Sequence, residues 1–350
     1  MRKRRMAAMT LDPSMRVQIK STGGSHVVME EIEGLIRVYK DGHVERPQIV
    51  PSVTCAVADH HGVTSTDIII DKFMNIWARF YVPKSHGKHP LLVYFHGGGF
   101  CVGSASWSCY HEFLTKLASK SNCVIMSVNY RLAPENPLPA AYDDGFKALF
   151  WVKQQFSHNS GNEYWFTSKC DPTSIFLAGD SAGGNIAYNI ATRLGSSAAG
   201  TLSVSTFRPL DFKGAILIQP FFGGESRTYS EKYMVQPPRS ALTLAASDTY
   251  WRLSLPGGVT RDHPWCNPTS KDAPRLENLR LVPVLVCVSE MDILKDRNME
   301  LVAALGSAGK RVEHMVCKGV GHAFQILNKS QVSLLRTDEL VSRIKAFIDR

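Results

Sequence analysis

Gly179-Asp180-Ser181-Ala182-Gly183 follows the apolar run Ile175–Ala178 and leads into a helix-compatible stretch. The G-x-S-x-G spacing suits a sharp strand-to-helix turn that holds a serine hydroxyl at the end of a sheet, with glycines where a Cβ would strike neighbouring backbone. Alone, such a match arises by chance in roughly one chain in seven of this size and composition, so a second signal is required. His96-Gly97-Gly98-Gly99-Phe100, directly after Leu91–Phe95, supplies it. A glycine run after a strand can turn successive backbone N–H groups toward one point, and two of them with the N–H of Ala182 would form an oxyanion hole.

A serine hydroxyl is a weak nucleophile at neutral pH; it needs a base with a pKa near 7 and a carboxylate to orient that base. Asp292 lies just past the apolar run Val284–Val288, within Ser289-Glu290-Met291-Asp292-Ile293-Leu294, and is the candidate acid, with Glu290 as its competitor. His322 sits in the glycine-flanked stretch Gly319-Val320-Gly321-His322-Ala323-Phe324, after a strand-like segment over 312–317, and is the candidate base. Ser, acid and His in that chain order is one of the orders in which this constellation occurs. Of the other histidines after Ser181, His263 precedes the acid and His314 lies inside the strand-like segment. His96 is read as a brace for the glycine loop. Asn129-Tyr130-Arg131-Leu132-Ala133-Pro134-Glu135 reads, from its residues alone, as a structural turn with an ion pair available.

Positioning these groups requires a scaffold of buried strands. From residue 90 onward, short continuous apolar runs over 91–95, 124–128, 175–178, 214–218 and 284–288 alternate with amphipathic stretches over 107–120, 140–156, 183–195 and 295–308. Runs of this kind are strands buried on both faces, and their alternation with helices implies a mostly parallel sheet covered by helices. Before it, 66–70 and 76–83 read as a strand pair, and 27–46 as a short helix followed by a strand. The stretch 221–267 breaks the alternation. It carries aromatics, Pro256-Gly257-Gly258 and a helix-like segment over 242–253, and is read as part of the roof of a substrate pocket; Phe221, Phe222, Tyr250 and Trp251 are candidate lining residues, though aromatics of this class are more often core.

With 350 residues, 44% of them hydrophobic, the chain can bury one large core, so a single domain over 27–350 is expected after a disordered basic tail at 1–26. No run approaches the roughly 18 apolar residues of a membrane span, and a soluble protein without membrane partners is expected. The formal charge of +9 is scattered outside Arg2, Lys3, Arg4 and Arg5, which argues against a nucleic-acid partner. Eight cysteines (55, 101, 109, 123, 170, 266, 287 and 317) lie far apart without metal-ligand spacing; they read as free, mostly buried thiols, favouring a reducing compartment and no metal.

Taken together, His96-Gly97-Gly98-Gly99, Tyr130-Arg131-Leu132-Ala133-Pro134-Glu135, Gly179-Asp180-Ser181-Ala182-Gly183-Gly184-Asn185, Asp292 and Gly321-His322 resemble the hormone-sensitive-lipase-like branch of the α/β-hydrolases, and within it the plant carboxylesterases. The resemblance spans residues 27 to 348, with Asn136 a departure where many relatives carry histidine. It implies the α/β-hydrolase fold, a cap built from the N-terminal segment and part of the 221–267 insertion, and a triad of Ser181 as nucleophile, His322 as base and Asp292 as orienting acid. Gly98, Gly99 and Ala182 would supply the oxyanion N–H groups, and Tyr130 to Glu135 would support the site from behind. The implied activity is hydrolysis of short-acyl carboxylic esters through an acyl-enzyme, without cofactor, in the cytoplasm and also the nucleus. Two alternatives come with the family: 2-hydroxyisoflavanone dehydratases, which often show Thr at the nucleophile position, and gibberellin receptors, which have lost the catalytic histidine.

Overall fold

The computed structural model describes residues 27–55, 61–157, 164–196, 202–236 and 240–350; the basic tail expected at 1–26 lies outside them. Among the described residues the strands are β1 (Val28–Ile32), β2 (Ile36–Tyr39), β3 (Val44–Glu45), β4 (Val63–Asp71), β5 (Ile76–Pro83), β6 (His89–Phe95), β7 (Val124–Asn129), β8 (Cys170–Asp180), β9 (Phe212–Ile218), β10 (Val284–Ser289) and β11 (Val312–Cys317). The α-helices are α1 (Ser108–Ser121), α2 (Ala140–Ser157), α3 (Tyr164–Lys169), α4 (Ala182–Leu194), α5 (Tyr229–Tyr233), α6 (Leu244–Ser254), α7 (Lys295–Ser307), α8 (Phe324–Leu327) and α9 (Gln331–Ile348).

Eight strands form one sheet in the order β11-β10-β9-β8-β6-β7-β5-β4. It is parallel from β11 through β7, and β5 and β4 complete it antiparallel. The apolar runs work as strands buried on both faces should. In β6, Leu91, Val93 and Phe95 enter one core with α2 and α4, while Leu92 and Tyr94 enter the other with α1 and α9. The same alternation divides Val284, Val286 and Val288 from Leu285 and Cys287 in β10. Parallel strands joined by helical crossovers place every strand-to-helix loop of β6 and β8 to β11 at the same edge of the sheet, and the candidate residues lie on those loops.

The N-terminal segment differs from expectation. Residues 27–46 contain no helix; β1, β2 and β3 form a separate antiparallel three-stranded sheet. Its charged residues fit an exposed meander: Glu31 receives Arg37 at 2.6 Å and Glu45 receives the Tyr39 hydroxyl at 2.7 Å, cross-strand pairs unavailable along one short helix. The insertion holds α5 and α6 and no strand among its described residues, as read. All eight cysteines are free, seven buried and Cys55 partly exposed. No described helix is long and apolar enough to cross a membrane.

Candidate active site

Ser181 occupies the turn between β8 and α4 at φ 52°, ψ −119°, backbone geometry that a residue with a side chain adopts only under restraint. The restraint comes from β9 and the chain after it: Ser181 N–H donates to Ile218 O at 2.8 Å, and Phe221 N–H donates to Ser181 O at 2.9 Å. Gly183 is required because a Cβ there would fall on the carbonyl of Phe95, at the end of β6. The elbow is thus wedged between the ends of its two neighbouring strands.

His322, on the loop after β11, reaches both partners. Its Nε2 lies 2.9 Å from Ser181 Oγ and its Nδ1 lies 2.7 Å from Asp292 Oδ2. Asp292 is fully buried, and its other oxygen accepts the Leu294 N–H at 3.0 Å, so the carboxylate is held toward the ring. Burial pulls the imidazole's pKa down, but the charge and hydrogen bond of Asp292, with a smaller contribution from Asp180, outweigh it and leave the ring more basic than usual. Glu290, the rival acid, turns away and accepts the Gly319 N–H at 2.9 Å, bracing the histidine loop. His263 makes a local turn, accepting the Trp265 N–H at its Nδ1, and His314 lies in β11.

The glycine loop after β6 carries Gly98 at φ 111° and Gly99 at φ 58°. Among the described residues neither N–H finds a backbone acceptor, and Ala182, as the first residue of α4, has an N–H with no intrahelical partner. Both glycines line one cavity with Ser181 and His322. A Cβ on Gly99 would enter the ring of Tyr250, so the loop and the insertion pack with nothing between them.

His96 is a brace. It is fully buried and stacks on Tyr130 at 4.3 Å, with its Nδ1 2.8 Å from Gly97 O, and burial pushes its pKa down to about 4, which keeps the ring neutral. Tyr130 donates to His96 O at 2.8 Å. The ion pairs of the Tyr130–Glu135 turn point outward from it. Arg131 meets the buried Asp144 at 2.6 Å, and Glu135 meets Arg46 at 2.5 Å. Arg46 also donates to Cys101 O and Ala133 O, which ties the N-terminal segment to the glycine loop.

Sequence reasoning passed over Asp180, the variable position of the G-x-S-x-G motif. Its buried carboxylate accepts from Tyr94 Oη at 2.7 Å, Tyr110 Oη at 3.0 Å and Gly97 N at 3.1 Å. Burial pushes its pKa up to about 6 against the pull of the two phenol hydrogen bonds. No sequence pattern links tyrosines 86 and 70 residues away to this acid.

The cavity over Ser181 measures about 90 Å³ and has mainly apolar walls. Leu35 and Ile49 reach it from the N-terminal segment, and Phe221, Ala241, Leu242 and Tyr250 from the insertion. Phe222 and Trp251, the other two candidates, do not line it and take the core reading: Phe222 packs edge-on against Tyr188 of α4 and Trp251 stacks on Phe221 at 4.6 Å. A larger groove of about 480 Å³ along α2 and α4, at Phe146, Phe150 and Arg193, holds none of the candidate groups. Among the described residues no group of three or more His, Cys, Asp or Glu side chains could hold a metal.

A serine on a strained strand-to-helix turn, bonded to a histidine that is bonded to a buried carboxylate, beside two glycine N–H groups, defines a nucleophilic hydrolase site on an α/β scaffold. The chain belongs to the family with the alpha/beta hydrolase fold, whose model matches residues 92–326. It is 51% identical over 326 residues to Probable carboxylesterase 6 of Arabidopsis thaliana, covering 92% of this chain and 91% of that one. It is 35% identical to the gibberellin receptor GID1A of the same plant (82% and 81% covered) and 35% identical to a 2-hydroxyisoflavanone dehydratase of Glycyrrhiza echinata (94% and 98% covered). Among solved structures, an esterase of Pyrobaculum calidifontis superposes with a TM-score of 0.65 at 30% identity, covering 81% of this chain and 84% of its own. The motif resemblance, drawn most narrowly to the type called probable carboxylesterase 17, holds at the level of the plant carboxylesterase branch.

Proposed function

We propose that this protein is a carboxylesterase that hydrolyses short-acyl carboxylic esters, with Ser181, His322 and Asp292 as its catalytic triad. The observation that carries the reading is the unbroken hydrogen-bond line from Ser181 Oγ through the His322 ring to Asp292. His322 Nε2 takes the hydroxyl proton as Ser181 Oγ attacks the ester carbonyl, and the N–H groups of Gly98, Gly99 and Ala182 receive the negative charge on the tetrahedral oxygen. The imidazolium, paired with Asp292, then protonates the leaving alcohol. Water, deprotonated by the same nitrogen, attacks the acyl-enzyme; collapse releases the acid and frees Ser181.

Within this reading, β1 to β3 and the 221–267 insertion form the cap of a single α/β-hydrolase domain, supported by the residues each contributes to the cavity wall. The small, mainly apolar cavity favours short, uncharged acyl groups over long ones. The serine-histidine bond supports hydrolysis over the dehydratase and receptor alternatives. Free thiols at all eight cysteines support a reducing compartment, the cytoplasm or nucleus. The test is steady-state and burst release of p-nitrophenol from its acetate, butyrate and octanoate esters by purified protein, beside Ser181→Ala and His322→Ala. Turnover of acetate and butyrate that collapses in both variants is expected; turnover unchanged in the variants would remove the triad from the reaction.

A further inference from the structure

Gln219 was not a candidate on any chemical ground. It follows β9, is 1% exposed, and sits at φ 47°, a positive φ that a side-chain-bearing residue adopts under restraint. Its side chain accepts the Ala323 N–H at 2.7 Å and donates to Ser289 Oγ at 2.8 Å and to Gln325 Oε1 at 3.3 Å. Which amide atom is which is fixed by chemistry: a backbone N–H can only donate, so the atom facing Ala323 is the oxygen.

Those partners belong to the loops that carry the triad. Ala323 directly follows His322 and is itself at φ 56°, so its N–H bond to Gln219 holds a strained residue beside the base. Ser289 closes β10, three residues before Asp292. The backbone on either side of Gln219, Ile218 O and Phe221 N, holds Ser181. Gln219 N–H itself donates to Cys287 O at 2.7 Å, locking the end of β9 to β10. One buried residue at the end of β9 therefore ties the end of β10 to the loop after β11, while its chain neighbours hold Ser181.

We propose that Gln219 is a positioning residue that sets the distance of His322 from Ser181 and Asp292 without touching substrate. This rests on the triad reading above. A misplacement of the base of even a fraction of an ångström costs rate, while of the cavity wall only Ala323 is bonded to the Gln219 side chain and the cap residues are not, so ground-state binding changes little. The charged groups that act on the ring are Asp292 and Asp180; a slackened His322–Asp292 bond makes the imidazole less basic.

The experiment compares wild type, Ser181→Ala, Gln219→Met and Gln219→Glu with p-nitrophenyl butyrate from pH 5 to 9, rates being counted per folded molecule from thermal melts. Methionine keeps the bulk and removes the three side-chain hydrogen bonds; glutamate keeps an acceptor for Ala323 N–H. Expected for Gln219→Met is a roughly 10- to 100-fold fall in kcat with KM within about twofold, and an acid limb of kcat/KM moved to lower pH. Gln219→Glu regains most of that kcat, with its acid limb at or above the wild-type position. A Gln219→Met variant with wild-type kcat and an unmoved limb overturns the positioning role alone. An inert wild type, or a Ser181→Ala variant as active as wild type, overturns the triad reading and the positioning role with it. Should Gln219→Met not fold, Gln219→Asn decides, since its amide is one methylene short of Ala323 N–H and asparagine tolerates a positive φ: a fall in kcat of about 10-fold or more with KM kept supports the role, and wild-type kcat with an unmoved limb overturns it.

Discussion

Behind Ser181, the buried carboxylates each have specific partners: Asp180 accepts from two tyrosines and a backbone N–H, Asp144 takes Arg131, and Asp292 takes His322. Over Ser181, the N-terminal sheet and the insertion meet through contacts that solvent reaches, such as Arg252 with Glu30 at 2.8 Å, with side chains 55% and 29% exposed. A buried carboxylate that loses its partner keeps its desolvation penalty, whereas an exposed pair is screened and contributes about 1 kcal/mol or less. The chemistry is held by groups that cannot be exchanged singly, and the ceiling by groups that can.

The comparison breaks most sharply at the nucleophile. Ser181→Ala and His322→Ala should each lower kcat/KM for p-nitrophenyl butyrate by roughly 10⁴-fold, with little change in Tm for Ser181→Ala and a lower Tm for His322→Ala, which strips the buried Asp292 of its partner; the rate losses should not be additive when combined, because the pair acts as one unit. Next comes the elbow's packing: Gly183→Ala, which sets a Cβ on the Phe95 carbonyl, should cost about 4 kcal/mol or more in urea denaturation, or prevent folding.

A change in the ceiling should act on selectivity instead. Leu242→Ala enlarges the cavity and should raise the octanoate-to-butyrate ratio of kcat/KM by roughly 10-fold, with butyrate kcat nearly kept. Asp180→Asn sharpens the contrast through pH. Removing that negative charge makes His322 less basic, so the acid limb of kcat/KM should move to lower pH. Because the folded-state pKa of Asp180 is raised to about 6 from 3.8, its contribution to stability is present at low pH and lost as pH rises through about 6; the wild type should lose stability relative to the variant across that window. Smallest of all, Arg252→Ala should change unfolding free energy by about 1 kcal/mol or less, and less still at high salt, with kcat unaltered.

What the amino-acid sequence disclosed follows the same division. The inner strands of the parallel sheet announce themselves because both of their faces are buried, which forces uninterrupted apolar runs such as Val284–Val288; Ser181 and Asp292 could be proposed because each sits just past such a run, whereas His322 follows the half-exposed edge strand β11 and stood out by its glycine-flanked loop and its place in the chain order. Residues 28–32 were misread because β1 buries only Ile32 and leaves its other positions exposed or half-exposed, so no period was written into them. Which of Phe221, Phe222, Tyr250 and Trp251 line the cavity was not legible, because an aromatic in the insertion serves as wall or as core, and only packing such as that of Trp251 on Phe221 decides. Asp180 and Gln219 were illegible for another reason. Their partners converge from the ends of strands distant in the chain, and nothing in one polar residue's neighbours names which side chains will arrive.

The insertion leaves the sheet after β9 and returns at β10, two strands bonded side by side from Ala215↔Val284 to Ile218↔Cys287. Its endpoints are therefore fixed by the ladder whatever lies between, and lengthening such an excursion costs only the slowly growing entropy of closing a longer loop. For protein engineering this makes the segment a cassette between fixed points: lengths and sequences can be shuffled there to search new substrates, provided Phe221, which holds Ser181, and Tyr250, which packs on Gly99, are kept.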